Sequence, residues 1–181
     1  SAASDVYKRQ EGPVRSVFRL DFTRWDVLGT KVDVHETVTI WAGKNGYEEE
    51  IRTSPLPENA VLVTGLVGNN NTKEFVEKQY AGKWVSMITH DKQTVNKDYE
   101  LGMALLIPKD QLVETFHAPD EGNGILKTWC AKLKPGNNGY RYQVYAGWEL
   151  GVDDFSKREE FIRLVDTYAD YLNHPVSIHI N

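Results

Sequence analysis

The sequence predicts a mostly β protein: an antiparallel β-sandwich with one C-terminal α-helix. Three observations carry that expectation. From Val14 to Ala42 the chain alternates strictly, with Val14, Ser16, Phe18, Leu20 and Phe22 on one face and Arg15, Val17, Arg19, Asp21 and Thr23 on the other. About nine short runs of this kind follow one another, with turn signals every 8–12 residues or so. Only one stretch, near the end, has an apolar stripe at helical spacing. A partly open barrel would satisfy the same pattern.

Taken in order, Gly12-Pro13 opens the first strand, where proline is tolerated. The turn at Leu28-Gly29-Thr30 leads into a second long run. There Val32, Val34, Val38, Ile40 and Ala42 lie opposite Asp33, His35, Thr37, Thr39 and Trp41, so the two runs read as a hairpin with one buried and one polar face. Lys44-Asn45-Gly46 is a turn, Tyr47 to Arg52 a short charged strand, and Ala60 to Val67 a buried one. Thr72 to Tyr80 is ambiguous between a short helix and a polar excursion. Trp84 to Thr89, Leu101 to Ile107 and Leu112 to Phe116 read as further strands. Ile125 to Leu133 and Tyr140 to Leu150 read as a hairpin across Pro135-Gly136-Asn137-Asn138-Gly139. Ser156 and Glu159 have capping-box spacing and open the helix, whose stripe is Phe161, Ile162, Val165, Tyr168, Ala169 and Leu172. Asn173-His174-Pro175 ends it, and Val176 to Ile180 reads as a final strand.

The opening residues stand apart. Asp5-Val6-Tyr7-Lys8-Arg9-Gln10 reads like the translation of a transposase adaptor used in DNA library preparation. Residues 1–11 are therefore expected to be a foreign, disordered start. Residues 12–181 are expected to form one sandwich domain, the C-terminal part of a longer protein whose signal peptide would lie upstream.

Composition narrows the partners. The 181 residues carry a formal charge of −5 and show no basic stripe, which argues against nucleic acid. No run approaches the roughly 18 apolar residues of a membrane span. The single cysteine, Cys130, reads as a small buried hydrophobe, and no intrachain disulfide can form. Five tryptophans and nine tyrosines suit both sandwich cores and sugar stacking.

No motif has the specificity of a phosphate loop or a zinc signature, and nothing points to a metal or cofactor. The chemistry must come from polar faces. His35 would sit beside Arg15 and Arg19 if the hairpin pairs as expected, as a general acid or base next to guanidiniums that hold a carboxylate. A solvated histidine is the plainer alternative. Glu149 ends a strand beside Trp148, on the face of Arg141 and Tyr145, where a raised pKa would suit acid–base work; a salt bridge to Arg141 is the alternative. The expected site is thus His35 and Glu149 as catalytic groups, with Arg15, Arg19, Trp41, Arg141 and Tyr145 binding substrate. Trp25 and Trp84 are further stacking candidates. His90 and His117 lie at strand or loop ends, and His117 near Asp120 and Glu121 offers a weaker metal alternative.

The run Gly12-Pro13-Val14-Arg15-Ser16-Val17-Phe18-Arg19-Leu20, with Val38-Thr39-Ile40-Trp41-Ala42-Gly43, Leu101-Gly102-Met103-Ala104 and Tyr145-Ala146-Gly147-Trp148-Glu149, resembles the C-terminal half of the domain of unknown function 4861 family. The helix and Asn173-His174-Pro175-Val176 fit it as well. The resemblance implies an exported bacterial protein, periplasmic or secreted, associated with glycan degradation. It also implies a body related to the galactose-mutarotase supersandwich and a missing N-terminal half bearing most catalytic groups. The expected function is action on acidic, uronic-acid-containing oligosaccharides as a glycoside hydrolase or polysaccharide lyase. A mutarotase-like epimerase and a non-catalytic carbohydrate-binding domain are the alternatives.

Overall fold

The structure, a computed structural model, describes residues 3–68, 73–93, 98–151 and 155–177. The long alternating hairpin forms as its pattern dictates. Strand β1 (Ala3–Gln10) pairs with β2 (Arg15–Val27), and β2 pairs with β3 (Thr30–Trp41) in antiparallel register. The turn between β2 and β3 is two residues, Leu28 and Gly29, both at positive φ (51° and 82°). This is the backbone sense that matches strand twist in tight hairpins. Nearer the tip the register shifts between Phe22 and Trp25, and the bulge is held by Arg24 N donating to Asp33 Oδ1 at 2.8 Å.

Eight more strands complete two sheets, the first six being β4 (Gly46–Thr53), β5 (Leu62–Val67), β6 (Val76–Gln79), β7 (Trp84–Asp91), β8 (Leu101–Pro108) and β9 (Leu112–His117). They are followed by β10 (Thr128–Leu133), β11 (Tyr140–Trp148) and the helix α1 (Arg158–Asn173). The larger sheet has the order β1-β2-β3-β4-β11-β8-β7-β6 and the smaller β5-β10-β9, every pairing antiparallel. The architecture is the expected sandwich with one helix, and it does not close into a barrel.

The small sheet covers one face of the large one. Between them lies a core of Val32, Val34, Ile51, Met87, Leu105, Ile107, Ala131 and Leu133. Helix α1 covers part of the opposite face, burying Phe161, Val165, Tyr168 and Ala169 against Trp84, Ile88, Ala104, Leu106 and Tyr145. Strand β7 is buried at every residue because it is covered from both sides. The remainder of that second face, on β2, β3 and β4, stays open.

Several expectations are corrected. Residues 3–10 are not disordered but form edge strand β1. Within residues 73–80, Val76–Gln79 form a strand, where a short helix or a polar excursion was expected. β10 and β11 do not form a hairpin: β10 lies between β5 and β9, and β11 between β4 and β8. The glycine-rich link 135–139 is an arch between sheets, since alternation fixes which face a strand buries but not its partner. The capping box is not made; Lys157 is the N-cap and gives no side-chain cap bond. Of the expected last strand, residues 178–180 lie outside the described residues, and Val176 and Ser177 are irregular.

Candidate functional site

The open polar face is built from rows that run across the strands. Asp21, His35 and Arg52 form one row; Arg19, Thr37, Glu50 and Arg141 form the next; Val17, Thr39, Glu48 and Gln143 follow. Beyond these Arg15 pairs with Trp41, its guanidinium carbon 5.2 Å from the indole centre. Directly opposed residues have Cβ atoms about 5 Å apart, so each row is a contact line.

His35 is set by its neighbours. Its Nδ1 donates to Asp21 Oδ1, which also accepts from Arg19 Nε at 2.8 Å. A carboxylate can only accept, so the Nδ1 proton is committed and Nε2 presents its lone pair. Arg19 Nη2 lies 3.2 Å from the same Nδ1, a close approach rather than a second hydrogen bond. The hydrogen bond from His35, and then that from Arg19, hold the Asp21 carboxyl below its ordinary range. Arg19, His35, Thr37, Glu50 and Arg52 line a cleft of about 280 Å³. Arg52 also belongs to an adjoining groove of about 660 Å³, lined by Pro55, Pro57, Asn137, Asn138 and Tyr140 among others. Neither Arg52 nor Glu50 makes an ion pair among the described residues.

Of the expected site residues, Arg15, Arg19, His35 and Trp41 share this accessible face. Arg141 lies on it too but is engaged, its Nη2 2.6 Å from Glu48 Oε2, while Gln143 Nε2 donates to the same oxygen at 3.0 Å. Tyr145 is placed out of reach. It is 2% exposed, stacked on Tyr168 at 4.3 Å beneath α1, with its hydroxyl donating to Gln143 Oε1. Burial pushes its phenol well up. Trp84 is buried under the same helix.

Glu149 does not join His35. The row of His35 reaches β11 at its Tyr140 end, and Glu149 lies nine residues beyond (140 to 149), about 30 Å along the strand. There its Oε2 accepts from Glu100 N at 2.8 Å and its own amide donates to Glu100 O at 3.0 Å. The same corner holds His90, whose Nε2 donates to Phe155 O at 2.7 Å, and Lys73, whose Nζ is 2.8 Å from Glu100 Oε1. These contacts tie the sheet end to the approach to α1. Glu149 makes no bond to Arg141, whose partner is Glu48.

Glu50 and Arg52 were missed from the sequence, although Glu48, Glu50 and Arg52 alternate with Tyr47, Glu49 and Ile51 and so carried the signal. His117 packs on Trp129 with ring centres 4.5 Å apart. Among the described residues no three His, Cys, Asp or Glu side chains converge as metal ligands. Cys130 is buried, and burial pushes its thiol up. Among the described residues no helix is long and apolar enough to cross a membrane.

Residues 1–178 match a family described as Domain of unknown function (DUF4861). The chain belongs to that family. The DUF4861 match takes in β1, the eight-stranded sheet, the small sheet and the helix, so the open face lies wholly inside it. No curated protein matches this DUF4861 chain.

Proposed function

We propose that this protein acts on acidic, uronic-acid-containing oligosaccharides, as a lyase, with its site on the open face of β2, β3 and β4. One observation carries the reading: Arg52 stands at the junction of two open clefts, beside a histidine whose tautomer is set by Asp21. A guanidinium without an ion pair suits a uronate carboxylate, which it can hold by two parallel hydrogen bonds. The amides of Asn137 and Asn138 suit sugar hydroxyls further along the groove, and Trp41 under Arg15 offers a ring face at the other end.

The lyase form of the reaction needs few groups. Arg52 neutralises the carboxylate and so acidifies the sugar C5–H. His35 Nε2 takes that proton, and the C–H electron pair becomes the C4–C5 double bond. The C4–O4 bond breaks with its electrons on O4, which takes a proton from water in the open cleft. The imidazolium returns its proton to solvent. A hydrolase would call for two carboxyls flanking the bond, and the separation of Glu149 from His35 removes the expected acid partner. The reading carries with it a place outside the cytoplasm, in the periplasm or secreted, and a supersandwich of the galactose-mutarotase type.

The test is ultraviolet absorbance of unsaturated uronide during incubation with uronate oligosaccharides. Absorbance should rise with the native protein, vanish with His35→Ala, and require at least about tenfold more substrate with Arg52→Ala. New reducing ends without absorbance would replace the lyase by a hydrolase. Binding without any product would leave a carbohydrate-binding domain.

A further inference from the structure

A second cavity lies on the opposite side of β3, between the two sheets, with a volume of about 530 Å³. This is within the usual range for small-molecule sites. Its inner wall includes Val32, Val34 and Ile51, all nearly inaccessible to water. Its rim carries Trp25, Leu28, Val61 and Ile125, each about half exposed or more. Apolar walls of this extent do not suit a sugar, so the cavity is a separate matter from the polar face.

Its charge is one-sided. Asp26 and Glu36 are the ionisable acids that line it, and no lysine or arginine does. Asp26 is already committed, to Lys31 Nζ at 2.7 Å and Gly29 N at 3.0 Å. Glu36 has no hydrogen bond or ion pair among the described residues. Glu36 pairs with Ile51 and Val38 with Glu49, which places Glu49 diagonally beside Glu36 on the same inner face. Glu49 is 6% exposed, its Oε1 has no partner among the described residues, and it lies just behind the lining, opposite the wall residue Tyr142. Two neighbouring carboxyls at the wall of an apolar cavity, neither supplied with a cation among the described residues, are costly to keep unmatched.

We propose that this cavity binds an apolar molecule carrying a cationic amine, its body between the sheets and its ammonium against Glu36 and Glu49. A neutral apolar ligand would leave the carboxyls unmatched, and an anion would meet them with like charge. Burial first, and then Glu36, push the Glu49 carboxyl up to about 8, and burial also raises Glu36. Near neutral pH the empty site therefore holds a proton on Glu49, which an arriving ammonium displaces.

Phenylbutylamine, phenylbutanol and phenylbutyrate, alike in their apolar body, test the idea by calorimetric titration of the intact protein. The amine should bind one to one, about tenfold or more tighter than the alcohol, with the carboxylate weaker still. Its heat should vary with the buffer's ionisation heat, as proton release requires. Glu36→Gln should lose that preference, and Val61→Trp, which narrows the mouth, should weaken amine and alcohol alike. Both variants are compared at matched thermal stability. Equal affinity for the three compounds, or an amine preference that survives Glu36→Gln, would overturn the proposal.

Discussion

Replacing Glu49 by glutamine should make the protein more stable, and only at high pH. The side chain sits on β4 between Val38 and Tyr142, facing the core, with one oxygen unpartnered. Its carboxyl is raised from an ordinary value near 4.5 to about 8, so the fold prefers the protonated form. For an acid raised in this way, stability is greatest below the unfolded pKa and is lost as pH climbs toward the folded one. At about 1.4 kcal/mol per pH unit the full interval corresponds to roughly 5 kcal/mol. Water entering through the cavity mouth and the coupling to Glu36 reduce this to an expected 2–3 kcal/mol or so. Glutamine keeps the shape without the charge. Urea unfolding followed by tryptophan fluorescence should therefore give nearly equal stabilities at about pH 5 and a gain of about 2–3 kcal/mol for Glu49→Gln at about pH 9. A difference that does not change with pH would refute the reasoning.

Two further outcomes follow from close contacts. A Cβ at Gly102 would lie 2.5 Å from the Phe161 ring, so Gly102→Ala should overpack the helix–sheet interface and cost about 1–3 kcal/mol in the same unfolding assay. Glu149→Ala should leave the Glu100 amide without its acceptor and cost about 1–2 kcal/mol. The uronide absorbance produced by Glu149→Ala should stay at the native rate, in contrast to His35→Ala.

Period-two alternation made most of the fold legible. It placed nearly every strand, the polar face, and the pairing that brings Arg19, Asp21 and His35 together. What it did not carry is which strands meet. β10 and β11 each alternate well, and a glycine-rich link serves an arch as readily as a hairpin, so their assignment to different sheets depends on long-range packing. The misplacement of Glu149 follows from this: with β11 inside the large sheet, the end bearing Glu149 lies far from the His35 row. Tyr145 shares a face with Arg141, yet a helix later in the chain covers one and not the other. Glu49 was read as one of several acids on a charged strand, when its phase already put it with Tyr47 and Ile51 on the inner side.

The position of β11 also has a consequence for how the chain reaches this state. Strands β1 to β4 form one meander and β6 to β8 another, and neither touches the other in the large sheet until Tyr140–Trp148 inserts between β4 and β8. Both meanders therefore present a bare hydrogen-bonding edge during synthesis until β11 has left the ribosome. Closure waits on contacts of long sequence separation, which slows folding, and the open edges at β4 and β8 are the points where a nascent chain is most exposed to pairing with another copy.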